Sequence, residues 1–279
     1  MLLDGKKVRN EILNNLKNIV ENERLDLTLA IIFVGSYAPS EVYVRNKVKY
    51  CEKVGIKTKV IRMAETVSEE DIIKEINKLN NDDKITGMIV QSPLPNGLDL
   101  ENCIKYINPK KDIDGFTKES FYALSHNLPG LRPCTSKGIM RLLKEYNIDL
   151  QGKDVVIIGR GNLVGKPLYM EMLNANATVT ICHTKTKNLK EKTKNADIII
   201  CGAGSPKILT SNMVKRGAIV VDAGITVIDG KIVGDADYLG LSKKCKYITP
   251  NPGGVGPMTI AMIIENIIEA YRLGGRKNG

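Results

Sequence analysis

The chain reads as an α/β protein of two α/β domains, the second built on a Rossmann-like parallel sheet. Three observations predict this class. Its 279 residues are enough for two apolar cores, at roughly 150 residues per domain. Short apolar runs alternate throughout with stretches of helical period, which is the pattern of βα units and parallel sheets. One of those runs, residues 155–158, leads directly into the glycine-rich turn GRGNLVGKP, and a strand, glycine turn and helix in that order form a phosphate-binding corner.

The elements follow in chain order. An opening helix covers residues 4–22, where Val8, Ile12, Leu16 and Ile19 recur at helical spacing. Strands are expected at LAIIFVG (29–35), KTKVIRM (57–63) and ITGMIVQSP (85–93), separated by helices around 39–54 and 68–79. The stretch INPKKDIDGFTKESFYALSHNLPGLRPCTSKG is rich in Pro, Gly and Asp and loses periodicity, so the domain junction falls within it. At its end Thr135 fits the N-cap of a helix carrying Ile139, Leu142 and Leu143. The second series, DVVIIG, TVTIC, ADIIICGAG and GAIVVDAG, is apolar at consecutive positions, as strands covered on both faces must be. A last helix runs over 257–273.

Bulk composition narrows the function classes. The net charge of +10, from 41 basic and 31 acidic residues, suits nucleic acid, an anionic surface or an acidic small substrate. The basic residues are spread over nearly every helix, and three Phe with no Trp leave little for base stacking. Nucleic acid is therefore not an expected partner. The six cysteines lie far apart with no C-x-x-C pair, so neither a disulfide framework nor a metal site is expected, and a cytoplasmic location follows. The segment MLLDGKKVRNEILNNL breaks its apolar residues with charges, and no uncharged apolar run reaches the ~18 residues of a membrane helix. No membrane partner is expected.

In the glycine turn, Gly159, Gly161 and Gly165 are spaced G-x-G-x-x-x-G, one residue longer than the dinucleotide fingerprint. Gly159 and Gly161 let the backbone approach a pyrophosphate, Gly165 allows close helix packing, and Pro167 sits in the first helical turn. By itself such a loop also serves as a plain tight βα turn. NAD sites place Asp or Glu about 20 residues further on for the ribose hydroxyls. Here the strand TVTIC runs instead into His183, Thr184, Lys185 and Thr186, while Arg160 and Lys185 could both approach a ribose phosphate. NADP fits better than NAD, although exposed loop cations alone would look the same.

In the first half, Tyr43 and Lys47 are spaced i and i+4 and share one helix face, at the margin of the apolar stripe Val44, Val48 and Cys51. Gln91 ends the strand GMIVQ at its carboxyl edge, where open α/β sheets bind ligands. Asp112 and Asp114 lie in the turn KDIDG, which local turn chemistry alone would explain.

Taken in order, YVRNK, GMIVQSPLP, KDIDGF, LRPCTS, IIGRGNLVGKP, CHTKT, GAIVVDAGI and TPNPGGVGPMT resemble the bifunctional methylenetetrahydrofolate dehydrogenase/methenyltetrahydrofolate cyclohydrolase family over nearly the whole chain. A shikimate-type dehydrogenase would join the same two domain types but does not account for PGGVGPMT or QSPLP. The resemblance implies two α/β domains flanking a cleft, with the final helix packed back on the first. Residues 1–118 and 258–279 would form the folate-binding catalytic domain and 119–257 the NADP-binding one. It implies oxidation of methylenetetrahydrofolate with NADP, then hydrolysis of the methenyl cation to formyltetrahydrofolate. Lys47 would be the key catalytic residue, Tyr43 would stack on the folate, Gln91 would assist Lys47, and Asp114 would bind the pterin edge. Pro252, Gly253, Gly254 and Val255 would line the folate site. Gly159, Arg160, Gly161, Val164, Gly165, Thr184 and Ile225 would line the NADP site. A homodimer acting on polyglutamylated folates is the expected assembly. Gly161, Ser92, Ser136 and Asn251 depart from the family's more frequent Ser, Leu, Pro and apolar residue.

Overall fold

The computed structural model describes residues 1–95 and 97–274. In chain order these form α1 (Gly5–Asn22), β1 (Thr28–Val34), α2 (Ala38–Val54), β2 (Lys57–Met63), α3 (Glu69–Asn80), β3 (Gly87–Val90), α4 (Leu100–Ile104), α5 (Lys118–Ser125) and α6 (Cys134–Glu145). They continue with β4 (Asp154–Ile158), α7 (Gly165–Asn174), β5 (Thr178–Cys182), α8 (Leu189–Thr193), β6 (Ile198–Cys201) and β7 (Ile219–Asp222). Last come β8 (Thr226–Ile228), β9 (Lys231–Val233), α9 (Tyr238–Ser242), β10 (Tyr247–Ile248) and α10 (Val255–Leu273). The chain divides into two compact units, Glu11–Cys134 with the chain from Ile260 on, and Met1–Asn10 with Thr135–Thr259.

The unit containing Glu11–Cys134 holds a parallel sheet in the order β2-β1-β3. From Leu29 to Val34 every β1 residue is buried, because strands pair on both edges and side chains cover both faces. The edge strand β2 exposes Lys57, Lys59 and Arg62, charges that discourage further pairing. Strand β3 is shorter than the expected 85–93. Gln91 N–H still reaches Ile32 O at 2.9 Å, and Pro93 has no N–H with which to continue the ladder. Helix α3 starts at the Ser68 cap, which accepts from Asp71 N, and buries Ile72, Ile76 and Leu79 along one face. Its carboxyl end is closed by the buried Lys111, whose Nζ donates at 2.9 Å to Leu79 O, Asn80 O and Asp82 O. Within α10, the fully buried Asn266 donates at 2.8 Å to Ile113 O and Arg132 O.

The second unit is a five-stranded parallel sheet in the order β10-β7-β6-β4-β5. Counted from β4 this is the doubly wound order 2-1-3-4-5, whose connections diverge between β4 and β6. In the smaller sheet the order 2-1-3 makes them diverge between β1 and β3. Residues Met1–Asn10 group with the larger sheet because Leu2 bridges to Ile248 and Leu3 N–H bonds to Ile248 O at 2.9 Å. One unit segment ends at Cys134, whose Sγ donates to Ile113 O at 3.2 Å and holds its segment on the KDIDG turn. Residues 275–279, the end of the range read as folate-binding, lie outside the described residues. Thr135 is inside α6 rather than its cap, its hydroxyl 3.3 Å from that of Thr259. The antiparallel hairpin β8–β9 was not among the expected strands. Its turn residues Asp229 and Gly230 both have positive φ, 49° and 72°, as a two-residue type I′ turn requires.

The three glycines of the turn after β4 differ in what they permit. Gly159 has φ 124°, and a Cβ there would strike the Gly202 carbonyl. A Cβ on Gly165 would strike the Gly159 carbonyl, whereas one on Gly161 would meet nothing within 4 Å. Gly165→Ala should therefore lower stability by roughly 1–3 kcal/mol, while Gly161→Ala should change it by less than ~0.5 kcal/mol. Denaturant melts of the two variants check this, and equal losses would contradict it.

Candidate active site

Helix α2 begins after Tyr37 with Pro39 in its first turn and ends at Gly55, which has φ 88° and donates to the last carbonyls. Its inward face is Ser40, Val44, Lys47, Cys51 and Val54. Lys47 thus lies on the buried stripe, not at its margin, and is only 8% exposed. A lone ammonium there would be costly. Gln91, 7% exposed at the carboxyl end of β3, answers it, with Lys47 Nζ donating to Gln91 Oε1 at 2.8 Å. Gln91 Nε2 donates in turn to Ser92 O at 2.7 Å, which aims the amide oxygen at the ammonium. Ser40 Oγ also donates to Ser92 O, at 3.3 Å.

Tyr43, one turn before Lys47, is half-buried, and desolvation raises its phenol pKa, so the ring is a neutral plate with a hydroxyl tip. Cys51, one turn after Lys47, is no nucleophile, because burial pushes its thiol up to about 12. The two aspartates of the KDIDG turn divide their work. Asp112 is buried and accepts from Gly115 N at 3.0 Å, Thr117 N at 2.7 Å and Ser120 Oγ at 3.1 Å. The Asp114 carboxylate accepts no hydrogen bond from a described residue. Desolvation pushes it above the ordinary carboxylate range, with Lys47 opposing the shift and Asp112 adding to it. An isolated bridge between Met88 and Asp112 holds this turn beside β3. Lys47, Gln91, Tyr43 and Asp114 are therefore gathered around the β1/β3 switch point, offering one held ammonium, one hydrogen-bond-seeking carboxylate and one aromatic face.

In the larger sheet the carboxyl ends of the strands carry the residues read as cofactor-binding. The turn from Gly159 to Gly165 follows β4, with Arg160 and Gly161 exposed and Val164 half-buried before α7. The first turn of α7 adds N–H groups that have no partner within the helix. Thr184 is exposed after β5, and Ile225 is 49% exposed after β7. His183 is a turn residue, its Nδ1 accepting from Lys185 N at 3.1 Å while its N–H bonds to Thr186 Oγ1 at 2.8 Å. Pro252 is exposed, Gly253 and Gly254 are buried against the start of α1, and Val255 opens α10. Open space at Gly161, an exposed Arg160 and the missing acid after β5 suit a phosphorylated dinucleotide. Among the described residues no His, Cys, Asp or Glu cluster could hold a metal, and no helix is long and apolar enough to cross a membrane.

Two acids of this unit escaped the sequence reading. Asp222 ends β7, and burial raises its pKa against the three N–H groups it accepts, from Gly224, Asp235 and Ala236, each at 3.0 Å. Asp235 is fully buried and accepts from the loop after β6. Beside them Asn251 Nδ2 donates to Gly224 O at 2.6 Å. The available signal was an acid bordered by apolar residues in VVDAG and IVGDAD.

Two family descriptions match the chain: the tetrahydrofolate dehydrogenase/cyclohydrolase catalytic domain over residues 3–114 and its NAD(P)-binding domain over residues 133–274. The chain is 47% identical over 275 residues to the bifunctional protein FolD of Agathobacter rectalis, covering 97% of this chain and 99% of that protein. The crystal structure of the bifunctional enzyme FolD from Campylobacter jejuni is 46% identical and superposes with a TM-score of 0.95, covering 98% of this chain and 99% of that one. The Trypanosoma brucei dehydrogenase-cyclohydrolase, complexed with NADP cofactor and inhibitor, is 30% identical with a TM-score of 0.95, covering 99% and 98%. With both domain types matched in order and near-complete coverage of these relatives, the chain belongs to the tetrahydrofolate dehydrogenase/cyclohydrolase family.

Proposed function

We propose that this chain oxidises 5,10-methylenetetrahydrofolate with NADP to 5,10-methenyltetrahydrofolate and hydrolyses that cation to 10-formyltetrahydrofolate, using Lys47, Tyr43, Gln91 and Asp114. The observation that carries this reading is the buried 2.8 Å pair of Lys47 and Gln91, with Lys47 close enough to Asp114 to act on its charge. Folate chemistry is assigned to the unit of Glu11–Cys134, and a folate-lining role is also assigned to Pro252, Gly253, Gly254 and Val255. NADP is assigned to Gly159, Arg160, Gly161, Val164, Gly165, Thr184 and Ile225.

In the first step a hydride leaves the one-carbon bridge, and NADP, when bound, accepts it. The protein's share is alignment of two rings, for which no side-chain acid is obligatory. Tyr43 stacks on the folate, and Asp114 accepts hydrogen bonds from the pterin amino and ring N–H groups. In the second step water adds to the methenyl carbon, loses a proton, and the bond from that carbon to N5 breaks with N5 protonated. Lys47 moves these protons while Gln91 holds its Nζ in place. A net charge of +10 suits polyglutamylated folates, and six cysteines outside any disulfide suit the reducing cytoplasm. A homodimer would cover the hairpin β8–β9, which exposes Val227, Ile228 and Ile232 on a two-stranded sheet.

Lys47→Met should cut cyclohydrolase activity at least ~100-fold while part of the dehydrogenase activity remains, so methenyltetrahydrofolate accumulates. Reduced cofactor and methenyl absorbance, followed separately and corrected for spontaneous hydrolysis, test this; equal retention of both activities in folded protein would remove Lys47 from the chemistry. Arg160→Ala should lower the ratio of kcat/KM for NADP over NAD, and an unchanged ratio would exclude it from the phosphate site. Asp114→Asn should weaken folate use in both reactions yet raise the melting temperature at pH 7. Because the folded carboxyl pKa is raised, wild-type stability is greatest below the ordinary carboxylate pKa and falls as pH rises through the folded value. The Asn variant lacks that cost, so its advantage should shrink as pH is lowered toward 4; a pH-independent difference would refute the burial argument.

A further inference from the structure

Asp235 is fully buried and takes no part in the chemistry above. Its carboxylate accepts three consecutive backbone N–H groups, Ala203 N at 2.6 Å, Gly204 N at 3.1 Å and Ser205 N at 2.7 Å. Three successive N–H groups converging on one point make an anion-binding nest. Here the chain fills the nest with its own carboxylate. That loop begins at Gly202, whose N–H bonds to Ile158 O at 2.8 Å and whose carbonyl leaves no room for a side chain on Gly159. The nest is therefore seated at the β4/β6 switch point, directly against the glycine turn. The same carboxylate also leaves no room for a Cβ on Gly224, the residue before Ile225. Asp235 is held in turn by Asp222, whose Oδ1 accepts its N–H at 3.0 Å.

We infer that Asp235 is a positioning residue for NADP, a built-in anion that sets where the loop after β6 and the Gly224–Ile225 corner stand relative to the glycine turn. The inference rests on the cofactor site proposed above. A carboxylate is required because Oδ2 accepts from Ala203 and Gly204 while Oδ1 accepts from Ser205. An Asn would turn its NH2 toward one set of donors and push the loop away.

The two activities separate this role from simple stability, since hydrolysis of the methenyl cation consumes only water and needs no cofactor. Asp235→Asn should raise the KM for NADP by ~10-fold or more, the scale of one lost charge-assisted hydrogen bond, with a much smaller effect on cyclohydrolase kcat/KM and on folate KM. Equilibrium titration of NADP into the folate-free protein should weaken in parallel. Should Asp235→Asn fail to fold, Gly204→Ala reads the same loop from its exposed side, because Gly204 has φ 64° and open space around it; the same split between cofactor and cyclohydrolase parameters is expected. An unchanged NADP affinity in the folded variant, or equal losses in both activities, overturns the role. A wild-type protein that reduces no NADP with methylenetetrahydrofolate would instead sink the functional reading beneath it.

Discussion

A parallel sheet covered on both faces leaves its chain few places for polar chemistry. Side chains along such strands must be apolar, so ligand-facing groups collect where the strands end and the connections diverge. Both units of this protein obey that constraint. In the smaller sheet the divergence between β1 and β3 places Gln91 at a strand end, with Lys47 on the helix that follows the neighbouring strand. In the larger sheet the divergence between β4 and β6 sets the glycine turn against Gly202.

Buried charges occur around these points in contrasting roles. Lys111 closes the carboxyl end of α3 through three carbonyls, and Lys47 is held by a single amide oxygen. Asp112 is saturated by its own turn, and the carboxylate of its neighbour Asp114 accepts no hydrogen bond from a described residue. Asp222 and Asp235 together accept N–H groups from the segments that border Ile225 and the β6 loop. The fully satisfied groups hold loops rigid without secondary structure, because each removes several backbone donors or acceptors from competition with water. Groups left with open hydrogen-bonding capacity are the ones a ligand can use.

Much of this was legible in the chain. Strand 57–63 and the helices near 39–54 and 68–79 follow from local period, since i to i+4 and i to i+2 neighbours are set by backbone geometry alone. The hairpin β8–β9 was missed although IDGK carries an Asp-Gly turn, because the flanking runs are only three residues each. Lys47 was read at the edge of its apolar stripe because a lysine is expected at the surface. Its burial depends on Gln91, 44 residues away, and no window along the helix contains that partner.

The sequence by itself determined the class of each domain, the order of β1 to β7 along the chain, the glycine turn, the missing acid after β5 and, through its ordered motifs, the family. These are encoded in spacing, which a linear chain displays directly. Tertiary structure alone decided that a side chain on Gly159 would strike the Gly202 carbonyl, and that residues 1–10 join the larger sheet through Leu2 and Leu3. It also decided that Asp235 fills a nest some 30 residues before it. Each of these depends on contacts between segments distant in sequence, where the cost of an unpaired buried donor or charge selects the partner only once the fold has brought it near.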